Sequence, residues 1–188
     1  MPNYCYYSMC VKGKKENVEE FIKVMQADYD YGTKKFSYDR HLFRVFEANC
    51  SEFYKEENDV YKVFINGECA WSVMSCMFED NFSYYKRFKE DYPNDFRGTT
   101  LTIESERLNL DIEVYSEECG MCFQEHYLIR QGKLEIEECV DWCECYKGDF
   151  ETKEDAEEEL KIEITDEEWN DDSEYISCGG FDSWDFVI

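Results

Sequence analysis

Basic residues are scarce in this sequence. It has 20 lysines and arginines against 45 aspartates and glutamates, which gives a formal net charge of −25. Proteins that bind nucleic-acid backbones use Lys and Arg side chains to displace counterions, and anionic membrane surfaces attract basic clusters. The composition therefore argues against direct binding to nucleic acids or membranes. It favours a basic partner, a cation or simple solubility.

Long apolar runs are missing as well. No stretch of about 18 apolar residues occurs, as a membrane-spanning helix would require, and the first residues lack the basic start and aliphatic stretch of a signal peptide. We therefore expect a cytoplasmic protein without membrane association. Its eleven cysteines, an odd number, are then expected as free thiols in a reducing compartment and not as a disulfide framework.

Catalytic and cofactor motifs are also absent. The sequence has no phosphate-binding glycine loop, no nucleophile elbow, no His-Glu-x-x-His pair and no dinucleotide fingerprint. The two histidines, His41 and His126, lie in no motif that would pair them with a nucleophilic cysteine. We therefore predict that the protein is not an enzyme and has no cofactor.

Apolar and aromatic residues, in contrast, are plentiful. Hydrophobic residues make up 43% of the chain and aromatic residues 18%, which is ample apolar area to offset the entropy cost of folding. The length suits one domain with an appendage. We expect an α+β domain at residues 1–148 and an extension at residues 149–188.

Residue periodicity predicts the first elements. Residues 3–11 are dense in aromatic residues, which favours a buried strand. From Glu16 to Met25 the apolar residues have helical spacing, and a second amphipathic helix is predicted over residues 76–91. Residues 36–58 fit neither period and are expected to be irregular, with a short helix as the alternative.

A hairpin and a run of strands complete the predicted sheet. Asn66-Gly67 is the strongest short hairpin signal in the chain, with strands at 59–65 and 68–71 on either side. Four further segments alternate apolar and charged residues and are predicted as consecutive strands: 99–105, 108–116, 121–131 and 134–142. The elements together predict a two-layer sandwich, an antiparallel sheet with two helices on one face.

The composition changes at about Gly148. Residues 149–188 hold 16 acidic and 2 basic side chains, a net of −14, so about a fifth of the chain carries more than half of the net charge. Ala156, Leu160 and Ile164 have helical spacing, and aromatic residues follow them. We therefore expect this acidic C-terminal extension to pack on the domain and not to be disordered.

Three stretches resemble a known family. Met1-Pro2-Asn3-Tyr4-Cys5, followed by a strand, a glycine turn and a helix, resembles the start of the YubB-type ferredoxin-like family of plasmid and phage proteins. Ala70-Trp71-Ser72 is similar to that family's Ala-Trp-Ser segment at the end of the central strand. Leu110 to Tyr115 and Glu117 to Phe123 are similar to its Tyr-x-Glu-x-Gly-Met-x-Phe hairpin.

The chain also departs from that family. Tyr4 stands where the family usually has Trp, and Val73-Met74 stand in place of a proline pair. The resemblance covers roughly residues 1–135. It implies a ferredoxin-like two-layer sandwich and a mobile-element origin, but no catalytic activity.

Cysteine spacing provides a candidate metal site. Two close pairs of thiolates can bind zinc tetrahedrally, and the candidate ligands are Cys119, Cys122, Cys143 and Cys145. Cys139-x3-Cys143-x-Cys145 is not a standard zinc knuckle, and free cysteines are common as inert core residues. A redox pair at Cys119 and Cys122 would need a helix N-terminus, where strands are predicted. No metal is therefore assigned here.

The candidate interaction site consists of carboxylates with an aromatic residue among them. Rows of carboxylates on a helix can imitate a phosphate backbone and attract a basic channel over a long range, while aromatic residues supply anchoring contacts. The predicted partner-binding residues are Glu154, Asp155, Glu157, Glu158, Glu159, Asp166, Glu167, Glu168, Trp169, Asp171 and Asp172.

The first functional hypothesis is therefore a phage or mobile-element interaction protein that inhibits a host nucleic-acid-binding defence enzyme. In its specific form it is an anti-CRISPR protein that binds the basic channel of a CRISPR effector nuclease. The alternatives are a cysteine-based zinc or redox module, and an acidic structural or regulatory protein without a nucleic-acid connection. Neutralising the extension would abolish function in the first case and leave it intact in the last.

Overall fold

The computed structural model describes residues 3–30, 32–33, 35–78 and 97–188, with the backbone alone described at Arg97. Within these ranges the chain forms, in order, β1 (Tyr4–Lys14), α1 (Lys15–Met25), β2 (Tyr29–Asp30), β3 (Lys35–Phe36), β4 (Arg40–His41), β5 (Val45–Cys50), β6 (Tyr54–Lys55), β7 (Val60–Ala70), β8 (Arg97–Gly98), α2 (Leu101–Leu108), β9 (Asp111–Glu118), β10 (Phe123–Arg130), β11 (Lys133–Tyr146), α3 (Lys153–Leu160), α4 (Asp166–Asn170) and β12 (Tyr175–Gly179). Short 3-10 turns lie at Glu57–Asp59 and Lys147–Asp149, and a π-helical turn lies at Met74–Phe78. The predicted α+β class is confirmed.

One antiparallel sheet contains most of the strands. Its order is β12-β11-β10-β9-β1-β7-β5, and β6 pairs with the same strand as β5. The central strand β1 pairs Met9 with Ile65 of β7 on one side and with Val114 of β9 on the other. Two smaller pairs, β2 with β3 and β4 with β8, lie outside this sheet.

The helices α1 and α2 cover one face of the sheet. Val18, Phe21 and Val24 of α1 are buried in the same hydrophobic core as Tyr7 and Met9 of β1. Burial of a large apolar side chain contributes about 1.5–3 kcal/mol, so the helical stripe and the alternating strand residues stabilise each other. The predicted first strand and first helix are confirmed, as are the strands now seen as β9, β10 and β11.

The predicted hairpin at Asn66-Gly67 is wrong. β7 runs through both residues as one strand and pairs along its whole length with β1. A Cβ atom at Gly67 would lie 1.9 Å from the backbone oxygen of Glu47 in β5. This glycine therefore permits a close approach of two backbones, which is another reason for glycine inside a strand.

The predicted strand at residues 99–105 is also wrong, because most of this segment belongs to α2. The Thr100 side chain caps the helix by accepting a hydrogen bond from the Ile103 N–H (3.3 Å), and Asn109 ends it in the left-handed conformation. The buried positions have helical spacing: Leu101, Glu104, Ser105 and Leu108. Glu104 is a charged residue at one of these buried positions, so the apolar residues do not show the helical spacing. What remains visible in the sequence is the short alternation of Leu101 and Ile103 with polar residues, which is typical of a strand.

Two other predictions concern the segments between these elements. Residues 36–58 were expected to be irregular, but they contain β4, β5 and β6, and the last two border β7 in the sheet. Of the helix predicted at 76–91, the structure describes residues 76–78, which end the π-helical turn Met74–Phe78. The rest of that predicted helix lies outside the described residues.

The C-terminal segment, residues 181–188, covers the opposite face of the sheet. Phe186 packs edge-on against Phe64 of β7, with ring centroids 5.7 Å apart. The buried carboxylate of Glu113 in β9 accepts a hydrogen bond from the Val187 N–H (2.6 Å). The sheet is therefore covered by helices on one side and by the end of this chain on the other.

Candidate functional site

Residues 147–180 form a small unit at the edge of the sheet, which we call the acidic module. β12 pairs with β11, and residues of α3, α4 and β12 share a hydrophobic core around Ala156, Ile164 and Ile176. The Thr152 side chain caps α3 by accepting a hydrogen bond from the Asp155 N–H (3.1 Å). The module is thus ordered by its own core and continues the sheet of the domain.

The predicted partner-binding carboxylates lie on the surface of the acidic module, and all are exposed except the half-buried Glu157. Four of them have partners inside the module: Glu157 with the Ile164 N–H, Asp166 with Lys153, Glu168 with Thr165, and Asp171 with Lys147. The lysine hydrogen bonds lower the pKa of Asp166 and of Asp171. Both carboxylates therefore stay ionised at neutral pH, but part of their charge is already neutralised.

The other predicted carboxylates are not used by the module. Within the described part of the chain, no hydrogen bond or ion pair is made by the side chains of Glu154, Asp155, Glu158, Glu159, Glu167 and Asp172. Glu154 and Glu158, and likewise Asp155 and Glu159, are four residues apart on α3, where like charges destabilise a helix by a few tenths of a kcal/mol. Glu154, Asp155 and Glu167 lie in the first turns of their helices, where the helix dipole favours negative charge. Because none of the six side chains makes a hydrogen bond or ion pair among the described residues, their carboxylates are available to a partner.

The aromatic residues of the module and of the adjoining end of β11 divide into an internal and an exposed set. Trp169 is half-buried and packs against the module core, so much of its ring area already serves folding. Tyr146 and Tyr175 are directly opposite each other at the end of the β11–β12 pair, with ring centroids 5.7 Å apart, and are 45% and 49% exposed. They fit the anchoring role better than Trp169, and sequence reasoning missed them. The alternation of Ile176 and Cys178 with exposed neighbours was the available signal for β12.

Three cysteines converge where the acidic module joins the sheet. Cys143 and Cys145 are two residues apart on β11, and Cys178 of β12 lies opposite Cys143. The Cys145 sulfur is 3.8 Å from that of Cys143 and 3.2 Å from that of Cys178. All three sulfurs lie within 4.8 Å of one another. We call this group the thiol cluster.

The four cysteines named from the sequence are thus only partly brought together. Cys143 and Cys145 belong to the thiol cluster, and Cys178, which sequence reasoning missed, completes it. Cys119 and Cys122 lie exposed in the turn between β9 and β10. The Cys122 backbone oxygen accepts a hydrogen bond from the Trp142 N–H (3.0 Å), but the Cys122 thiol donates to the Cys119 carbonyl oxygen (3.5 Å), and its sulfur is not one of the three that lie within 4.8 Å of one another.

Two of the three cluster thiols, Cys143 and Cys178, have pKa values above the ordinary value of a cysteine. Burial, followed by the neighbouring Cys145 and Cys143 thiols, raises the pKa of Cys178 to about 12. Burial and the Cys145 thiol also raise the pKa of Cys143. A thiol with a raised pKa is a poor nucleophile, so this environment does not suit a redox pair of the thioredoxin kind.

Both histidines lie in packed surroundings. Burial lowers the pKa of His41 to about 4, and its ring stacks on Phe36. His126 Nε2 lies 3.0 Å from the buried Glu113 carboxylate, and its ring stacks on Tyr115 at 4.0 Å. The contacts described for these two rings are with aromatic rings and, at His126, with the carboxylates of Glu113 and Glu138; neither ring is shown beside a cysteine among the described contacts.

Among the described residues, no helix is long and apolar enough to cross a membrane. Comparisons of this chain with family models, curated proteins and solved structures each found no match. Function is therefore inferred from the chain's own residues.

Proposed function

We propose that this protein acts by binding, and that its acidic module occupies the basic nucleic-acid channel of a host defence enzyme, a CRISPR effector nuclease in the specific form of the proposal. The observation that carries the proposal is the set of exposed carboxylates on α3 and α4 that have no partner within the described chain. An ordered core beneath them holds their spacing. A channel built for a nucleic acid attracts such fixed negative charge.

The spacing of the carboxylates supports imitation of a nucleic-acid backbone. Residues four apart on a helix are separated by about 6 Å along its axis, so Glu154 with Glu158 and Asp155 with Glu159 form two short rows of charge on α3. Glu167 on α4 and Asp172 after it extend the charged surface. The exposed pair Tyr146 and Tyr175 adds apolar contact area next to this charge, which charge alone does not provide.

We further propose that the core of the domain is ferredoxin-like, as the resemblance to the YubB-type family implies. The strands next to β1 support this: the order β9-β1-β7-β5 is antiparallel throughout. α1 follows β1, α2 precedes β9, and residues of both helices are in the core on the same face. Under this proposal β10, β11 and β12 extend the core sheet and carry the acidic module.

Two buried carboxylates, Glu125 and Glu113, are bonded to structural groups, which fits a protein that acts by binding. Glu125 accepts hydrogen bonds from the Val73 N–H (2.8 Å), the Ser116 hydroxyl (2.7 Å) and the Tyr127 hydroxyl (2.9 Å). Glu113 holds the C-terminal segment through the Val187 N–H. These hydrogen bonds to the protein itself explain why the two carboxylates are buried, and no catalytic role is needed to account for them.

The proposal is tested by neutralising only the unpartnered charge. The module variant carries Glu154→Gln, Glu158→Gln, Glu159→Gln and Glu167→Gln. The control variant carries four matched changes at exposed glutamates elsewhere: Glu52→Gln, Glu57→Gln, Glu106→Gln and Glu137→Gln. Each variant loses four negative charges, so a difference between the two variants reports the position of the removed charges and not their number.

Wild-type protein is expected to capture a basic nucleic-acid-binding protein from host lysate at low salt, and to compete with duplex DNA or RNA for that protein once it is purified. Association with the module variant is expected to be roughly tenfold slower or more, with a weaker dependence on salt, because electrostatic steering supplies rate enhancements of this size. The control variant should behave like wild type.

If the module variant and the control variant associate with the partner at the same rate and with the same salt dependence, the charge of the module serves solubility and not partner binding. Capture of no basic partner at low or moderate salt would also contradict the proposal, as would a captured partner whose nucleic-acid binding is unaffected by the wild-type protein.

A further inference from the structure

The thiol cluster has the separations of a metal site. Zinc–sulfur bonds of about 2.3 Å place the sulfurs of a tetrahedral site about 3.8 Å apart. The Cys143–Cys145 and Cys145–Cys178 sulfur separations are 3.8 and 3.2 Å, and the three sulfurs lie within 4.8 Å of one another. A metal ion could therefore reach all three with small side-chain adjustments.

The sheet explains why these sulfurs converge. Residues two apart on a strand point to the same face, which brings Cys143 and Cys145 together. The β11–β12 register places Cys178 directly opposite Cys143, and opposite residues in an antiparallel pair share a face. The convergence is therefore built from regular strand geometry and not from a chance arrangement of loops.

A cation would remove the unfavourable electrostatics of this group. The three sulfurs lie within 4.8 Å of one another and are half-buried, so their thiolate forms would repel one another and would lose solvation. A divalent cation between them reverses both effects, since a coordinating thiol is deprotonated outright. A disulfide would use only two of the three sulfurs.

We propose that Cys143, Cys145 and Cys178 are ligands of a zinc ion, with Cys122 as the fourth ligand. Soft thiolate ligands select zinc among the common divalent ions. The backbone of Cys122, in the β9–β10 turn, is bonded to the Trp142 N–H next to Cys143. Its sulfur lies outside the group of three and would have to rotate away from the Cys119 carbonyl oxygen to bind the ion. Each thiol that binds releases one proton to solvent, so zinc affinity rises with pH.

The consequence of such a site is a cross-link at the base of the acidic module. The four ligands come from the β9–β10 turn, from β11 and from β12, and Cys178 also borders the module core. Zinc would therefore fix β12 and the module to the sheet. The inference does not depend on the proposed partner, because zinc binding is measured on the isolated chain.

The test uses the full chain expressed in zinc-supplemented medium and purified under reducing conditions. We expect one zinc per chain by elemental analysis, and a Co²⁺ complex with thiolate charge-transfer absorption and the strong visible bands of tetrahedral coordination. Cys145→Ser is expected to weaken Zn²⁺ binding by at least about a hundredfold, since even an outer partner of a ligand is worth 10–100-fold. Cys139→Ser, an exposed cysteine on the same strand, is the matched control and should bind like wild type.

The proposal can still be tested if Cys145→Ser fails to fold. Circular dichroism of each variant reports folding, and the Co²⁺ spectrum of the wild-type chain needs no variant. A wild-type chain without zinc and without a thiolate–Co²⁺ spectrum overturns the site, as does a Cys145–Cys178 disulfide isolated from reducing cells. Unchanged Zn²⁺ affinity in Cys122→Ser overturns the assignment of the fourth ligand.

Discussion

Replacing Gly67 with alanine is expected to lower the free energy of unfolding by about 3 kcal/mol, the upper part of the range for overpacking a well-packed interior. The new Cβ would lie 1.9 Å from the Glu47 oxygen and 2.6 Å from the Glu47 carbonyl carbon. These are backbone atoms of β5, so the contact can be relieved only by moving one strand away from another.

The same substitution affects a buried hydrogen bond. The fully buried Tyr7 donates its hydroxyl hydrogen to the Glu47 backbone oxygen (2.6 Å), and the new Cβ would lie 2.7 Å from that hydroxyl oxygen. If β5 moves away, the tyrosine hydroxyl loses its acceptor inside the core, and an unsatisfied buried polar group costs about 1–3 kcal/mol. Strain and loss of the hydrogen bond therefore act in the same direction.

Urea denaturation followed by circular dichroism measures this effect. The control is Gly32→Ala, where the described atom nearest the new Cβ is a carboxylate oxygen of the exposed Asp30 at 3.1 Å, a side-chain atom and not a backbone atom of a neighbouring strand. That variant is expected to stay within about 0.5 kcal/mol of wild type. Equal stability of the two variants would show that β5 does not approach β7 at Gly67, and would return the Asn66-Gly67 turn to consideration.

Replacing Glu104 with alanine is expected to be at least as destabilising, by about 3–5 kcal/mol, the cost of removing one partner from a buried ion pair. Glu104 is fully buried in α2. It accepts hydrogen bonds from Arg40 Nε (2.7 Å), from Arg107 Nε (2.9 Å) and from the Thr99 hydroxyl (2.5 Å). The substitution would remove the carboxylate that Arg40 and Arg107 share; Arg107 would keep its ion pair with Glu20.

Acid should reduce this difference. Burial by itself raises the pKa of Glu104, but the hydrogen bonds from Thr99, Arg107 and Arg40 outweigh it, and the pKa lies below its ordinary value. A carboxyl group with a lower pKa in the folded state stabilises the protein above its unfolded-state pKa. That contribution is lost as the pH falls through the folded-state pKa. The gap between wild type and Glu104→Ala is therefore complete above about pH 5 and shrinks below about pH 4.

The control for this prediction is Glu106→Ala, which removes an exposed carboxylate from the same helix and should change stability by no more than about 0.5 kcal/mol. Denaturation curves at neutral and acidic pH compare the three proteins. A Glu104→Ala protein as stable as the control at neutral pH, or a gap that grows in acid, would contradict the assigned ion pairs.

These two residues also explain the main errors of prediction from the sequence. Asn-Gly is a strong turn signal because both residues tolerate positive φ, but Gly67 was needed where two backbones approach within a continuous strand. Glu104 stands at a buried position of α2 and is matched by Arg40, which is 64 residues away in the sequence. Local patterns do not contain either partner, so neither role could be recognised from them.

The charged surface of the candidate site could be predicted from the sequence, whereas the carboxylates available to a partner and the thiol cluster could not. The excess of acidic residues after Gly148 identified the charged surface directly, because charge is a property of composition. Which carboxylates are available depended on the positions of Lys147 and Lys153 in the folded module. Cys178 joined Cys143 and Cys145 only through the β11–β12 register, which cysteine spacing along the chain does not contain.

The sequence by itself determined the α+β class, the first strand and helix, the strands β9 to β11 and the negative charge of the C-terminal extension. These follow from residue periodicity and composition, which act over a few neighbouring residues. Only the tertiary structure decided that β7 is unbroken, that residues 101–108 form a helix around a buried glutamate, that the thiol cluster forms, and that residues 181–188 cover the open face of the sheet. Each of these depends on strand register and on contacts between distant segments, and the free energy of those contacts outweighs local preference where the two conflict.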